Sequence, residues 1–232
     1  MILSGCLVRY AMSRTSGSPL DLASVASISV KALPWSFFVG TISFATASLT
    51  GNLQLVSKVY FPRAVLPLAA TLGQAFDAAI GSAVLAAILP FLGVRPSMAL
   101  LWVPLLALLL FLFTVASSLF LSCANLFFRD VKYIVQLALT FGIFFTPVLF
   151  DPAMMGHELA RLIMLNPLSP LLEGLRLAIV ERHDLLQPLV SADGVTIWSP
   201  MYLAYAAAWA IIGLAASAMI FHRSEFVFAE YI

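Results

Sequence analysis

The chain has 232 residues, 62% of them hydrophobic and only 10% charged, with a mean hydropathy of +1.03. Soluble domains carry about 25% charged residues, so this composition excludes an ordinary one, and a net charge of +1 makes no electrostatic case for nucleic acid. Cys6 and Cys123 have neither metal-ligand spacing nor a disulfide framework and read as small apolar packing residues.

In chain order, Met1–Val8 is apolar but too short to span a membrane, and it lacks the basic start and cleavage site of a secretory signal. Polar Arg9–Ser18 and Pro19 follow as a loop. Met1–Val8 therefore reads either as the tail of a helix whose beginning is absent or as a short disordered terminus. Five long apolar runs come next: Ala32–Leu49, Ala64–Leu92, Met98–Phe128, Val131–Phe150 and Pro200–Phe221. A helix rises about 1.5 Å per residue, so ~20 apolar residues match the ~30 Å hydrocarbon core. Backbone amides find no water there, which requires the runs to be helices. The predicted fold class is all-α: a polytopic transmembrane bundle of about five full spans, forming one domain over residues 1–232.

Between the first two runs lies Gly51–Arg63. Gly51 can end one helix and Pro62 stops another. Leu53, Val56 and Tyr60 recur at helical spacing while Asn52 and Lys58 stay polar. Two readings stand, a short amphipathic helix on the membrane surface and a plain connector. In the second run, Ala69, Gly73, Asp77 and Gly81 share one face, and small residues there let helix backbones approach closely. Asp77 reads as the one clearly intramembrane carboxylate, facing a helix interface or a wet cavity. It is either a polar point on a path or seam, or a structural group. A second small face, Ala206, Ala210, Gly213 and Ser217, reads as packing.

Prolines cut Phe150–Pro200 into pieces, with Met154–Leu165 and Ser169–Arg182 each a short amphipathic helix, either re-entrant or lying as a cap on the outer membrane surface. Glu158/Arg161 and Glu173/Arg176 are i,i+3 pairs of the kind worth ~0.2–0.5 kcal/mol on a helix surface. Trp35, Phe37, Phe38, Phe141, Phe144 and Phe145 cluster toward one set of run ends, as an interfacial belt, as packing or as the lining of a path. Basic residues leave orientation open. Lys58, Arg63, Arg129, Lys132 and Arg223 share one side; Arg9, Arg14, Lys31, Arg95, Arg161, Arg176 and Arg182 share the other.

Leu33-Pro-Trp-Ser-Phe-Phe38, Asn52-Leu-Gln-Leu-Val-Ser-Lys-Val-Tyr-Phe-Pro-Arg63 and Phe128-Arg-Asp-Val-Lys-Tyr133 resemble the permease subunits of type 2 ABC exporters. The polysaccharide-export branch, which moves lipid-linked O-antigen, capsule or teichoic acid, is the best match. Thr146-Pro-Val148, Leu165-Asn-Pro-Leu168, Glu173-Gly-Leu-Arg176 and Phe221-His-Arg-Ser-Glu225 continue the resemblance. It runs through nearly the whole chain in order. The family begins with an amphipathic helix and one more span, both missing here apart from Met1–Val8.

The resemblance implies five remaining spans, Met1 outside and the C-terminus in the cytoplasm of a bacterium, in its inner membrane. It implies an ATPase-coupling helix with Asn52, Leu55, Val56, Lys58, Tyr60 and Arg63, and a second cytoplasmic contact at Arg129, Asp130 and Lys132. A substrate path or helix seam would use Gly73, Asp77, Gly81, Trp35, Phe38, Phe141, Phe144 and Phe145. Asn166, Pro167, Glu173 and Arg176 would form an outer gate of two re-entrant helices. The implied partners are a soluble ABC ATPase, a second permease copy, a polyprenyl-linked polysaccharide and the bilayer. Lys31, Lys58 and Lys132 are not preceded by glycine, so there is no phosphate-binding Gly-x-x-x-x-Gly-Lys loop, and ATP work needs a separate subunit. No catalytic residue, metal ligand or cofactor is expected. The alternatives are a drug or small-lipid efflux permease of the same fold and a membrane-embedded glycosyl- or phospho-transferase.

Overall fold

A computed structural model describes residues 22–52, 62–152, 157–190 and 196–225. Met1–Asp21, with Cys6 and the Met1–Val8 run, lie outside the described residues. Helix α1, Leu22–Gly51, begins ten residues before the first apolar run and continues through Pro34. Its hydroxyls bond back along the helix. Ser29 Oγ donates to Val25 O at 2.8 Å, Ser43 Oγ to Val39 O at 2.7 Å and Thr46 Oγ1 to Ile42 O at 2.6 Å. Such bonds satisfy hydroxyls where water is scarce.

α2 spans Val65–Ile88 and ends in a 3₁₀ turn, Leu89–Leu92, closed by Gly93 at φ +83°. A second 3₁₀ turn, Met98–Leu101, leads into α3, Trp102–Phe127. α3 is the central helix. Its buried residues include Leu106, Leu109, Leu110, Thr114, Ser118 and Ser122, at spacings that keep them on one side. α7, Pro200–Glu225, packs along α3 through the expected small face: Ala206, Ala210 and Ser217 are buried, and a Cβ on Gly213 would lie 3.7 Å from Ala116 Cβ. α2 lies outermost. It touches α1 where Gly81 faces Leu33 and where Gln74 reaches Gly40, and it touches α3 through a Thr71 Oγ1–Ser118 Oγ hydrogen bond of 3.2 Å. Leu72, Phe76, Ile80, Val84 and Ile88, every fourth residue, stay exposed as an apolar ridge suited to lipid.

The fourth apolar run crosses the bundle, but only in part as a helix. α4 is Val131–Gly142, and turns carry the chain on to Phe150. Twelve helical residues rise ~18 Å, short of the hydrocarbon core. After Gly142 the chain leaves the helix, Val148, Leu149 and Phe150 are buried, and the Phe150 carbonyl serves a side chain on α1 instead of a helical amide. Among the described residues, four helices are therefore long and apolar enough to span. A fifth crossing is counted when α5, His157–Met164, and α6, Leu168–Arg176, are taken together, bent by 108°. These two are the short amphipathic helices expected from the proline-broken segment. α6 runs on through a π turn, Leu177–Glu181, stopped by Arg182 at φ 56°. A small antiparallel pair, β1 (Leu189–Val190) with β2 (Thr196–Trp198), precedes α7.

The fold has two functional ends. At one, α1 finishes at Gly51, α2 starts, α3 turns into α4, and α7 finishes. At the other lie the start of α1, the α2–α3 connection and the described residues between Asp151 and Ser199.

Candidate functional site

At the second end the bent pair is fastened to α1 by buried charges. Lys31 on α1 is fully buried. Its Nζ donates to Asp151 Oδ1 at 2.7 Å and to Phe150 O at 2.8 Å, and lies 3.8 Å from Glu173 Oε2. Arg176 directs Nε, at 2.8 Å, and Nη2, at 2.5 Å, onto Glu173 Oε1. Its Nη1 reaches Glu181 Oε1 at 2.6 Å, and Nε lies 3.5 Å from Asp151 Oδ1. Ser27 Oγ adds a donor to Asp151 at 3.3 Å. Lys31 and Arg176 balance Asp151 and Glu173 inside the protein, and the more exposed Glu181 adds a carboxylate at the rim. Burying ions is costly unless they are paired and hydrogen-bonded, and the dense contacts offset that cost. Glu173 Oε2 alone has no hydrogen-bond partner.

This cluster corrects one sequence expectation. Glu173/Arg176 is a buried ion pair in a larger ionic network, not a surface pair worth a few tenths of a kcal/mol. Sequence reasoning missed Lys31 and Asp151 as partners. The available signal was their position at edges of apolar runs, Lys31 just before the first and Asp151 just after the fourth.

The other residues assigned to an outer gate sit at the corner of the bent pair. Asn166 Oδ1 accepts from Leu168 N at 3.2 Å, capping α6, and its Nδ2 donates to Phe145 O at 3.4 Å. Pro167 immediately precedes α6. Asn166 and Pro167 thus set the bend, while Glu173 and Arg176 hold the second arm against α1.

The aromatic set divides. Trp35 is buried, with its ring over Gly142, and Phe37 is buried too. Phe38 stacks on Phe113 with centroids 5.9 Å apart. Phe141, Phe144 and Phe145 are exposed, 54–70%, along one segment. The small stripe on α2 divides similarly. Gly81 meets Leu33, but a Cβ on Gly73 would touch nothing within 4 Å, so the close contact expected around it is not made among the described residues. Asp77 is exposed, with Gln74 Nε2 3.5 Å from its Oδ2. A lone carboxylate facing lipid at mid-helix costs at least ~2.5–3.5 kcal/mol, so this face calls for cover or water. Because only the long, exposed Gln74 contact is lost among the described residues, Asp77→Leu is expected to leave folding stability unchanged within ~0.5 kcal/mol. Membrane abundance and thermal unfolding in detergent check this, and a clear drop would show Asp77 to be a structural group.

At the first end, Leu55, Val56, Lys58 and Tyr60 lie outside the described residues. Asn52 is exposed, its Nδ2 bonded to Ser48 O at 2.9 Å. Arg63 is tied to the end of α7: its amide donates to Glu225 Oε1 at 3.2 Å and Nη1 to Glu225 O at 2.9 Å. Arg129, Asp130 and Lys132 are exposed at the α3–α4 turn, Lys132 Nζ lying 4.8 Å from the Tyr133 ring centroid. Asn125, fully buried on α3, donates to Thr46 O at 2.9 Å and Thr50 Oγ1 at 3.1 Å, and accepts from Lys132 N at 3.0 Å. Nearby Cys123 packs among Leu49, Leu119, Leu126 and Phe221, the apolar role expected of it.

Long apolar helices, a bent helix pair and an internally balanced ion cluster define an all-α, multi-pass membrane protein. A sequence profile described as ABC-2 type transporter matches residues 1–180. The chain belongs to the ABC-2 type transporter family. It is similar to the O-antigen export system permease protein RfbA of Klebsiella pneumoniae, 29% identical over 202 residues, covering 86% of this chain and 72% of that protein. A second Klebsiella pneumoniae protein of the same name is 30% identical over 140 residues, 60% of this chain and 54% of the relative. One from Myxococcus xanthus is 28% identical over 169 residues, 71% of this chain and 65% of the relative.

Proposed function

We propose that this chain is the permease subunit of an ATP-driven exporter that moves a lipid-linked polysaccharide across a bacterial inner membrane. The observation that carries the substrate class is the similarity to O-antigen export permeases along 86% of the chain. In this reading the Asn52–Arg63 segment takes the push of a separate ABC ATPase, and Arg129, Asp130 and Lys132 form a second contact. Asn52 and Arg63, which bound that segment, lie at the same end of the bundle as the Arg129–Lys132 turn, where one docked subunit could reach both. Arg63 has a further role as the anchor between the start of α2 and the end of α7. The polysaccharide is carried on a polyprenyl lipid, and two permease copies enclose its path. The exposed faces bearing Gly73 and Asp77, and Phe141, Phe144 and Phe145, are the candidates for seam and path. The bent α5–α6 pair is the outer gate, with Glu173 and Arg176 as its fastening.

The Gly51 end faces the cytoplasm. The count of basic residues on the opposite side is weakened as a counter-argument because Lys31 and Arg176 are paired within the protein and do not act as loop cations. With Cys6 and Cys123 replaced, a cysteine at exposed Asp130 is expected to resist an impermeant thiol reagent in intact cells. One at exposed Gln187 is expected to react. The reverse pattern would invert the topology.

Copurification from native membranes tests the whole reading. An ABC ATPase polypeptide and a polyprenyl-linked glycan are expected with the chain. A bound small amphiphile with the ATPase would redirect the substrate class, and recovery of the folded chain with neither would overturn the proposal.

A further inference from the structure

The segments read as ATPase contacts are separated by more than sixty residues of chain, yet one buried side chain touches the flank of each. Asn125 lies near the end of α3 and is fully buried. Its two amide protons go to α1: to the Thr46 carbonyl and to Thr50 Oγ1, in the last two turns before the Asn52–Arg63 segment. Its carbonyl goes the other way, accepting the amide of Lys132 at the start of α4. That amide is one of the first four of the helix, which have no intrahelical acceptor. Asp130, the residue placed to cap it, makes no side-chain cap bond. Asn125 therefore caps α4 from the preceding helix while gripping the end of α1. An amide supplies two donors and an acceptor on one rigid plane, and no other side chain of this size can do both. Thr50 is itself fastened to Ala47 O at 3.3 Å, which fixes the hydroxyl that Asn125 meets.

We propose that Asn125 is a positioning residue for export: it makes the end of α1 and the Phe128–Lys132 turn move as one body when the ATPase pushes on either. The inference rests on the ATP-driven reading above. Without the tie, a displacement of the Asn52–Arg63 segment would be absorbed at the α1–α4 junction, and the push would not reach the path-bearing face of α4. Tightly packed contacts pass motion on because they resist small deformation.

The test uses the full chain with its ATPase in proteoliposomes. Spin labels are placed at exposed Ala47 and Tyr133, and export per ATP hydrolysed is measured alongside. The parent chain is expected to show one narrow distance distribution, unchanged by ATP. Asn125→Leu, which removes all three bonds, should broaden that distribution and lower export per ATP by about fivefold or more, with ATP hydrolysis retained. Thr50→Val, at a half-buried site, removes one bond and should shift both readouts less, in the same direction. It decides the matter if Asn125→Leu does not accumulate. A residue that only stabilised the fold would lower abundance while leaving the distance and the ratio per folded molecule unchanged, and that result overturns the proposal. A parent chain that neither binds an ATPase nor exports would instead overturn the transport reading, and the inference with it.

Discussion

Lys31→Met is expected to destabilise the protein by about 3–5 kcal/mol, the cost of breaking a buried ion pair from one side. Lys31 is fully buried, and its ammonium lies 2.7 Å from Asp151 Oδ1 and 3.8 Å from Glu173 Oε2, an oxygen without a hydrogen bond among the described residues. Removing it takes away the 2.7 Å partner of Asp151 and the close cation of Glu173 Oε2, while the closest contacts of Arg176 are to the other Glu173 oxygen and to Glu181. The Phe150 carbonyl loses its donor as well. Membrane abundance should fall sharply, and thermal unfolding in detergent should move to lower temperature. Lys31→Met combined with Asp151→Asn removes one charge of each sign and should recover part of the loss, because an uncompensated buried charge is the expensive species. Lys31→Arg should not substitute, since a planar guanidinium is larger than the ammonium the site encloses. Normal abundance and stability for Lys31→Met alone would mean that the cluster does not hold the bent pair.

The second large effect is at Trp198. Its side chain is fully buried, and its Nε1 donates to Leu185 O at 2.9 Å. The ring lies against Gly174 of α6, which has no room for a side chain: a Cβ there would stand 3.2 Å from Trp198 and 3.3 Å from Leu106. Trp198 is thus the plug that seats the β1–β2 segment between the bent pair and α3. Trp198→Ala should cost about 3–5 kcal/mol through lost burial and the cavity left behind. Trp198→Phe keeps most of the apolar volume but leaves the Leu185 carbonyl without its donor, a loss of about 1–3 kcal/mol. Detergent-solubilised thermal unfolding separates the two variants. Equal stability of both would show that the hydrogen bond, not the volume, carries the effect.

Both sites bear on how such a bundle keeps a broken helix in place. A short helix with unpaired ends cannot rest in lipid, and it needs protein on every polar side. Here the first arm's corner is capped by Asn166, the second arm is fastened by charges to α1, and the following hairpin is plugged by Trp198. In the proposed function, opening a gate at this end would require breaking or carrying along the Lys31 network, which gives the cluster a place in the transport cycle as well as in stability.

What the sequence by itself determined was set by composition along the chain. Hydropathy averaged over ~20 residues is a local quantity, and the bilayer reads it locally, so the apolar runs, the all-α class and the proline-broken segment were legible without coordinates. The small face of α7 was legible for the same reason, because helical spacing alone puts Ala206, Ala210, Gly213 and Ser217 together. Tertiary structure decided what depends on residues far apart. Lys31 meets Asp151 across 120 positions, and Asn125 meets Thr46 across 79, and no local pattern announces either. Hydropathy could not see that Val131–Phe150 leaves its helix at Gly142, because the turn residues are as apolar as the helical ones and their carbonyl is claimed by a cation from another helix. Nor could it see that Gly73 and Asp77 face outward from the outermost helix while Gly81 packs on α1. Spacing establishes that residues share a face, but the direction of that face depends on where the neighbouring helices pack.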